Sequence, residues 1–504
     1  MMKPYPSLPP HSGLCCDSRH VKPGNVFFAL NGSKNNGLDY VGAAIHSGAA
    51  HIVMDQNAAG TDAAKDAAKL ELLQSQFPHI GFTIVGNARA AFAFYAAQTY
   101  PVKPSFIAAV TGTNGKSSTV HFCREIWGLL GRPSASIGTM GIITQNQVFD
   151  FKLTTPDALM LHENLQNLAR QKIDHVAIEA SSIGIDQHRL DFLPIRAAGF
   201  TNLTQDHLDY HGDMNAYRAA KLKLFSELLD PMGTAVINAD TPEFETIQTI
   251  CRTRKIRCWG YGSRGADLKI LNRRPLLTGQ DVIVEIFGHP YEFSLPLIGE
   301  FQLSNMLCTI GIILSEERFK IEDILAVIPS ISAVPGRLQK IPGTPDDRAV
   351  FVDYAHTPDG LETVLRNVRD HQSQQQISQQ ISQQNGRILC VFGCGGDRDK
   401  TKRPIMGGIA ARLSDHVYVT DDNPRSEDPA TIRAEIIRGI KGKNFSNCPT
   451  RREAIYQAVT DLKPNDILII AGKGHERGQI FADHVDDFDD SEVAHAAITE
   501  VFSP

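Results

Sequence analysis

A chain of 504 residues that is 42% hydrophobic and 21% charged can bury more than one hydrophobic core, and two to four domains are expected. Its formal net charge of -6 weighs against nonspecific nucleic-acid binding as the main activity. Nine cysteines with no CxxC exclude a disulfide framework and suggest neither a zinc site nor a redox motif, so Cys390 and Cys394 read as small buried residues. No run of 18 apolar residues exists and the N-terminus lacks a basic region followed by an apolar core; neither a membrane span nor a secretory leader is expected, which points to a cytoplasmic protein.

Residues 1–103 read as a small α/β unit. Ser18 precedes an apolar run, Val26 to Leu30, that ends in the polar, glycine-punctuated loop containing Ser33, Lys34 and Asn35. Helix, strand and helix are expected at 41–50, 49–54 and 88–100, and Pro101 and Pro104 mark a boundary.

The second unit, 104–335, opens with the stretch around which the chain is organised. The apolar run Phe106 to Val110 leads into Gly112, Thr113, Asn114, Gly115, Lys116, Ser117 and Ser118, followed by a helical pattern. Strand, glycine-rich turn and helix let backbone N–H groups converge on a phosphate, with a lysine adding charge and a following hydroxyl placed for Mg²⁺. Val110 stands where the generic phosphate-loop pattern has glycine. Strands are expected at 134–143, 175–179 and 197–203, with helices at 157–171 and 215–229, so the sheet is mostly parallel and covered on both faces. Polar clusters punctuate the strand ends: Thr154 and Thr155; Glu179 and Ser181 with Gln187 and Arg189; and Asp206, His207, Asp209 and His211. Glu179 suits Mg²⁺ better than an imidazole does, so a structural histidine stands beside the ligand reading for His207. Lys221, in an amphipathic helical pattern, reads as solvent-facing. Residues 264–300 look like short strands with turns.

The third unit, 336–504, carries four strands that each end in a charge-bearing loop: Asp353 to His356, Gly393 to Lys400 with Arg398, Asp421 to Arg425, and Ala471 to Glu476. Ligands of open α/β sheets bind at the carboxyl ends of strands. Arg398 and Arg425 could fork a carboxylate, while Asp422, Asn423 and Glu476 could hold an ammonium; salt bridges at loop tips are the alternative. The glutamine-rich tract 371–385 reads as a solvated loop insertion. ATP, a carboxylate and an amine together suggest amide ligation through an acyl phosphate.

Taken together, TGTNGKSS at 111–118, EASS at 179–182, TNLTQDHLDYHG at 201–212, AAK at 219–221, PGR at 335–337, VDYAHTPD at 352–359, GCGGDRDKTKRP at 393–404, DDNPR at 421–425 and AGKGHE at 471–476 make the chain resemble the Mur ligase family over essentially its whole length. The resemblance implies three domains: a small N-terminal α/β domain for a UDP-linked substrate, a central P-loop ATP-binding domain with a mostly parallel sheet, and a C-terminal Rossmann-like α/β domain for an amino acid. It implies ATP bound by residues 112–118 with Asn305, Arg337, Asp353 and His356, and Mg²⁺, two ions, served by Ser117, Glu179, His207 and a carbamylated Lys221. Lys116, Lys221 and His207 are the implied catalytic residues. Ser18, Ser33, Lys34, Asn35, Thr154, Thr155, Ser181, Gln187 and Arg189 would hold UDP-N-acetylmuramoyl-L-alanyl-D-glutamate. Arg398, Asp422, Asn423, Pro424, Arg425, Gly472 and Glu476 would hold meso-2,6-diaminopimelate, the amino acid that accompanies the Asn-Pro-Arg loop; closure of the third domain over the reactants is expected. Three alternatives stay open: a lysine-adding relative, a folylpolyglutamate synthase-like ligase, and a P-loop protein that uses ATP only as a switch.

Overall fold

The computed structural model describes residues 5–32, 35–55, 63–149, 151, 153–379, 386–442 and 444–502. The chain divides into two compact units, Met1–Tyr261 with Cys308–Lys320, and Gly262–Leu307 with Ile321–Pro504.

The first unit holds two sheets. Strands β1 (Gly13–Cys15), β2 (Asn25–Ala29), β3 (His51–Asp55) and β4 (Gly81–Val85) pair in parallel in that order. Phe28, Val53, Phe92 and Tyr95 form part of one core beside them, and Phe27, Ile52 and Met54 belong to a second. The larger sheet contains β5 (Phe106–Thr111), β6 (Ser134–Gly138), β7 (Gly141–Ile143), β8 (Val148–Phe149), β9 (His175–Glu179), β10 (Ile195–Phe200), β11 (Leu229–Asn238) and β12 (Arg257–Gly262). Its order is β12-β11-β10-β5-β9-β6-β7-β8; the pairs from β12 to β6 are parallel and the last two antiparallel. Strands β5 and β9 are buried at every position, as their near-continuous apolar runs require of a sheet covered on both faces. The single strand expected at 134–143 is instead a hairpin: the chain reverses between Gly138 and Gly141, and Gly141 takes a left-handed φ of 88°.

In the second unit β13 (Leu268–Leu276), β14 (Gly279–Ile286) and β15 (His289–Leu295) form an antiparallel meander where short strands with turns were expected. The other sheet contains β16 (Gln339–Lys340), β17 (Ala349–Asp353), β18 (Ile388–Phe392), β19 (His416–Val419), β20 (Phe445–Asn447) and β21 (Ile467–Ala471), in the order β16-β17-β21-β18-β19-β20. All its pairs but β16–β17 are parallel. Cores lie on both faces, one around Phe351, Phe392 and Ile469 and one around Val352, Val391 and Ile470.

Two further sequence expectations fail. The first half of the glutamine-rich tract is helix: Pro358–Gln379 runs through it, and residues 380–385 lie outside the described residues. His371 and Gln372 are buried; His371 meets the Leu276 carbonyl and Gln372 donates to Gly386, so tertiary partners hold as helix what composition alone reads as loop. The helix expected at 215–229 stops at Lys223, and Leu224–Leu228 forms a π-helical turn before β11.

Candidate functional site

Strand register brings the first group of residues together. Val110 is paired with Glu179 on one side and Gly199 on the other, and Thr111 with Phe200, so the phosphate loop, Glu179 and the 201–204 segment leave adjacent carboxyl ends of parallel strands. The 201–204 segment builds the loop: Thr113 N donates to Asn202 O at 2.9 Å, Asn114 N to Asn202 Oδ1 at 2.9 Å, and Thr201 Oγ1 to Asn114 O at 2.6 Å. A Cβ on Gly112 would overlap the Thr201 hydroxyl, and Gly115 sits at φ 86° as the cap of the helix Lys116–Leu129. Only glycine meets both demands.

Two lysines share one acceptor in this loop. Lys116 Nζ donates to Gly112 O at 2.9 Å and to Thr113 O at 2.7 Å, while Lys221 Nζ donates to Gly112 O at 2.8 Å. Lys221 is 1% exposed, which overturns its solvent-facing reading; amphipathic spacing does not reveal which face meets a neighbouring loop. Burial, and secondarily the Lys116 charge, push its pKa down to about 6, so at neutral pH it is largely an uncharged amine. Its ammonium position lies 4.5 Å from the centre of the Tyr217 ring, whose hydroxyl is 3.1 Å from Thr113 Oγ1. Tyr217, absent from the sequence-derived set, thus ties the lysine helix to the loop. His207 takes a left-handed φ of 51°, is half exposed, stands 3.5 Å from Asp206 and packs edge-on against Tyr217.

Glu179 is 1% exposed and receives Thr139 N at 2.9 Å. A Cβ on Gly138 would overlap its Oε1, so the chain leaves a cradle for this carboxylate. Among the described residues no three His, Cys, Asp or Glu side chains cluster as a metal site. The side chains here that could hold a cation are the Ser117 hydroxyl, the Glu179 carboxylate and the His207 imidazole, and the two oxygen donors among them suit Mg²⁺.

Part of the set expected to hold the carboxylate substrate is linked to Glu179. Thr139 Oγ1 stands 3.3 Å from both Glu179 Oε2 and Thr154 Oγ1; Thr155 Oγ1 donates to Glu179 O at 2.7 Å and lies 2.9 Å from Ser181 Oγ. Arg189 donates to Thr155 O at 2.6 Å and to Gln187 Oε1 at 2.7 Å. Arg89, which sequence reasoning passed over inside an alanine-rich helix, reaches the same Gln187 oxygen at 3.4 Å and also bonds Asn31 O. Two guanidinium groups therefore share a neutral amide oxygen. Burial first and the Arg89 charge second lower the Arg189 pKa, against the pull of Asp157. Ser18 and Asn35 line a cavity of about 1340 Å³ with Cys16, Arg19, Tyr40 and Asp157. Ser33 and Lys34 lie outside the described residues.

In the second unit, four loops leave the carboxyl ends of β17, β18, β19 and β21. Asp353 is buried and accepts Leu338 N at 2.8 Å and Ala355 N at 2.9 Å; burial raises its pKa against the pull of Arg337 and those N–H groups. Arg337 and His356 flank the Tyr354 ring, with centres at 4.9 and 4.6 Å. Asn305 is buried and donates to Gln302 Oε1 at 3.2 Å. The β18 and β19 loops are joined: Gly396 N donates to Asn423 O at 2.9 Å, Arg425 Nη1 to Gly396 O at 2.9 Å, and Ser426 Oγ to Asp397 Oδ1 at 2.6 Å. Arg425 holds a left-handed φ of 54° and Pro424 packs its carbonyl against Gly396, whereas Arg398 is exposed. Asn423 Nδ2 donates to Glu476 Oε2 at 3.3 Å, and Tyr354 OH to Glu476 Oε1 at 3.2 Å. Gly472 takes φ 120°, and a Cβ there would come within 2.7 Å of Asp422 Oδ2.

Beneath these loops lies a buried pair that the sequence did not single out. Arg451 donates to Asp490 through Nε and Nη2, both at 2.6 Å, to Ala471 O at 2.9 Å and to Asp421 O at 3.5 Å. It clamps the ends of β19 and β21. A basic residue opening one helix and an acidic residue opening another carry no pattern that would pair them.

Three family models match successive parts of the chain. The Mur ligase family catalytic domain matches residues 11–89, the Mur ligase middle domain 110–313, and the Mur ligase glutamate ligase domain 336–474. The UDP-N-acetylmuramoyl-L-alanyl-D-glutamate–2,6-diaminopimelate ligase of Zymomonas mobilis is 42% identical over 98% of this chain and 96% of its own length. That of Caulobacter vibrioides is 41% identical over 97% and 95%. A solved structure of a ligase of that name superposes with a TM-score of 0.72 at 31% identity, covering 97% of this chain and 95% of its own. The chain belongs to the Mur ligase family.

Proposed function

We propose that the protein is an ATP-dependent amide ligase that joins meso-2,6-diaminopimelate to the D-glutamyl γ-carboxylate of UDP-N-acetylmuramoyl-L-alanyl-D-glutamate, a step of peptidoglycan precursor synthesis. The observation that carries this reading is about 40% identity to ligases of that name across nearly the whole chain, with the phosphate loop, Glu179 and Lys221 in one cluster. The γ-carboxylate oxygen attacks the γ-phosphorus of ATP; the bond to the β,γ-bridging oxygen breaks, giving acyl phosphate and ADP. The amine of diaminopimelate then adds to the acyl carbon, loses its proton, and phosphate departs as the amide forms.

Lys116 turns from the loop carbonyls to the transferring phosphoryl group, where it offsets charge that spreads over the oxygens. Arg89 and Arg189 fix the acceptor's free carboxylate, orienting the γ-carboxylate. The buried, neutral amine of Lys221 is the form that adds carbon dioxide, giving a carbamate and a released proton. Mg²⁺ held by Ser117, Glu179, His207 and that carbamate would supply charge neutralisation at the phosphates. In the second unit Arg425 offers a fork for a carboxylate, and Glu476 and Asp422 offer acceptors for an ammonium.

The test offers ATP, the UDP-dipeptide and either meso-diaminopimelate or L-lysine, following ADP release and the product by mass. Diaminopimelate-dependent release is expected. Lysine-only incorporation overturns the amino-acid assignment, incorporation on a folate substrate favours the folylpolyglutamate reading, and ATP binding without amino-acid-dependent ADP release overturns ligation.

A further inference from the structure

The Lys473 side chain is wholly buried; among the described residues Glu476 Oε2, at 3.9 Å, is the carboxylate oxygen within ion-pairing distance, and the Asp422 and Asp490 carboxylates act on it from further off, against a burial that lowers its pKa. Removing an ammonium from water is costly unless it is paired. Its short contact is instead with a neutral group: Nζ donates to Asn423 Oδ1 at 3.0 Å. The backbone N–H of Ile480 donates to the same oxygen, also at 3.0 Å. An ammonium and a peptide N–H can only donate, so the amide end that faces both must be oxygen. With the amide flipped, its NH₂ would meet two donors and leave three buried N–H groups opposed. The orientation is therefore set by chemistry, and Nδ2 is directed to Glu476 Oε2 at 3.3 Å. That bond uses one of its two hydrogens.

We propose that Lys473 is a positioning residue that fixes the polarity of the Asn423 amide, so that the remaining Nδ2–H joins Arg425 in receiving a carboxylate of the amino-acid substrate. Asn423 and Arg425 share a loop, with Arg425 Nη1 3.4 Å from Asn423 O. The buried lysine thus joins the Ile480 N–H in holding the amide oxygen inward, which keeps the Nδ2 end as the donor. Glu476, held at its other oxygen by Tyr354, stays an acceptor for an ammonium group. The two charged ends of an amino acid are thereby distinguished. This inference rests on the ligase reading.

The experiment uses the full-length enzyme and measures ADP release while varying diaminopimelate, ATP and UDP-dipeptide in turn. Lys473→Met keeps the length of the side chain and removes the charge. Its KM for diaminopimelate is expected to rise by about tenfold or more, the scale of a hydrogen bond to a charged group, with the KM values for ATP and UDP-dipeptide within about twofold of wild type. In an Asn423→Ala background the same substitution should add no more than about twofold. An equal change in all three KM values, a loss confined to kcat, or a full-sized effect in the Asn423→Ala background overturns the proposal. Should Lys473→Met fail to fold, Asn423→Asp decides: it keeps both donors on one oxygen and gives Lys473 a partner charge, but turns a second oxygen towards Glu476. It should fold and raise the diaminopimelate KM by about tenfold or more; an unchanged KM overturns the proposal. Wild-type enzyme that releases no ADP in response to diaminopimelate refutes the ligase reading itself. Active wild type with a diaminopimelate KM unmoved by Lys473→Met refutes only the role of Lys473.

Discussion

Replacing Arg451 with methionine should loosen the floor of the second unit and do so more at alkaline pH. Both members of the Arg451–Asp490 pair are fully buried, and the arginine makes two bonds of 2.6 Å to the carboxylate besides those to Ala471 and Asp421. Removing one partner of such a pair costs about 3–5 kcal/mol, because the other charge stays buried. That is a large share of the roughly 5–15 kcal/mol that holds a domain folded. Burial already raises the Asp490 pKa against the pull of Arg451. Without the guanidinium it rises further, and the folded variant keeps a proton that the unfolded chain releases above about pH 4. The folded state then binds more protons, so stability falls as pH rises from that value to the folded pKa, by up to about 1.4 kcal/mol per pH unit. Native-state hydrogen exchange of the β19 and β21 amides reads the local opening free energy without a global two-state assumption. A deficit under about 1 kcal/mol, or one equal at pH 5 and pH 8 after correction for intrinsic exchange, refutes the reasoning.

Lys221→Ala should lower ligation by about 100-fold or more and regain activity with added formate or acetate; failure of both rescues removes the carbamate role. Arg89→Met should raise the KM for the UDP-dipeptide by about tenfold and spare that for ATP, and initial rates with each substrate varied will show whether the two move together. Gly138→Ala pushes a methyl group into Glu179 Oε1, so ADP release should fall while the β6 fold persists; unchanged turnover would mean that the Glu179 seat is immaterial. His162 is buried, its Nε2 donates to Asp191 O at 3.1 Å, and burial with the Lys103 charge depresses its pKa to about 4. The unfolded chain binds the extra proton between about pH 6.5 and 4, so stability should drop through that window by up to about 3 kcal/mol. Acid titration of His162→Phe beside wild type should show a shallower loss, and identical slopes count against the assignment.

The strands and phosphate loop were legible because parallel strands covered on both faces read as apolar runs, and glycines mark the turn. The strand-end loops were legible for the same reason. Lys221 was legible only by resemblance, since helical spacing says nothing of the loop that the helix packs against. Arg89, Tyr217, Arg451 and Lys473 act through partners far apart in the chain, and no local pattern announces them. His371 and Gln372 misled in the opposite sense: polar composition suggested a solvated loop, while buried hydrogen bonds make them part of a helix.

The helix Pro358–Gln379 leads into β18 at its amino end, Ile388, while the Gly393–Lys400 loop leaves the carboxyl end. The chain therefore enters β18 at the end of the sheet opposite to the one that carries the candidate amino-acid loops. Doubling the length of a flexible connection costs only about 0.6 kcal/mol in closure entropy. That end is a natural place for a handle: a fluorescent reporter or affinity tag introduced ahead of β18 enters the sheet away from the loops that carry the candidate chemistry.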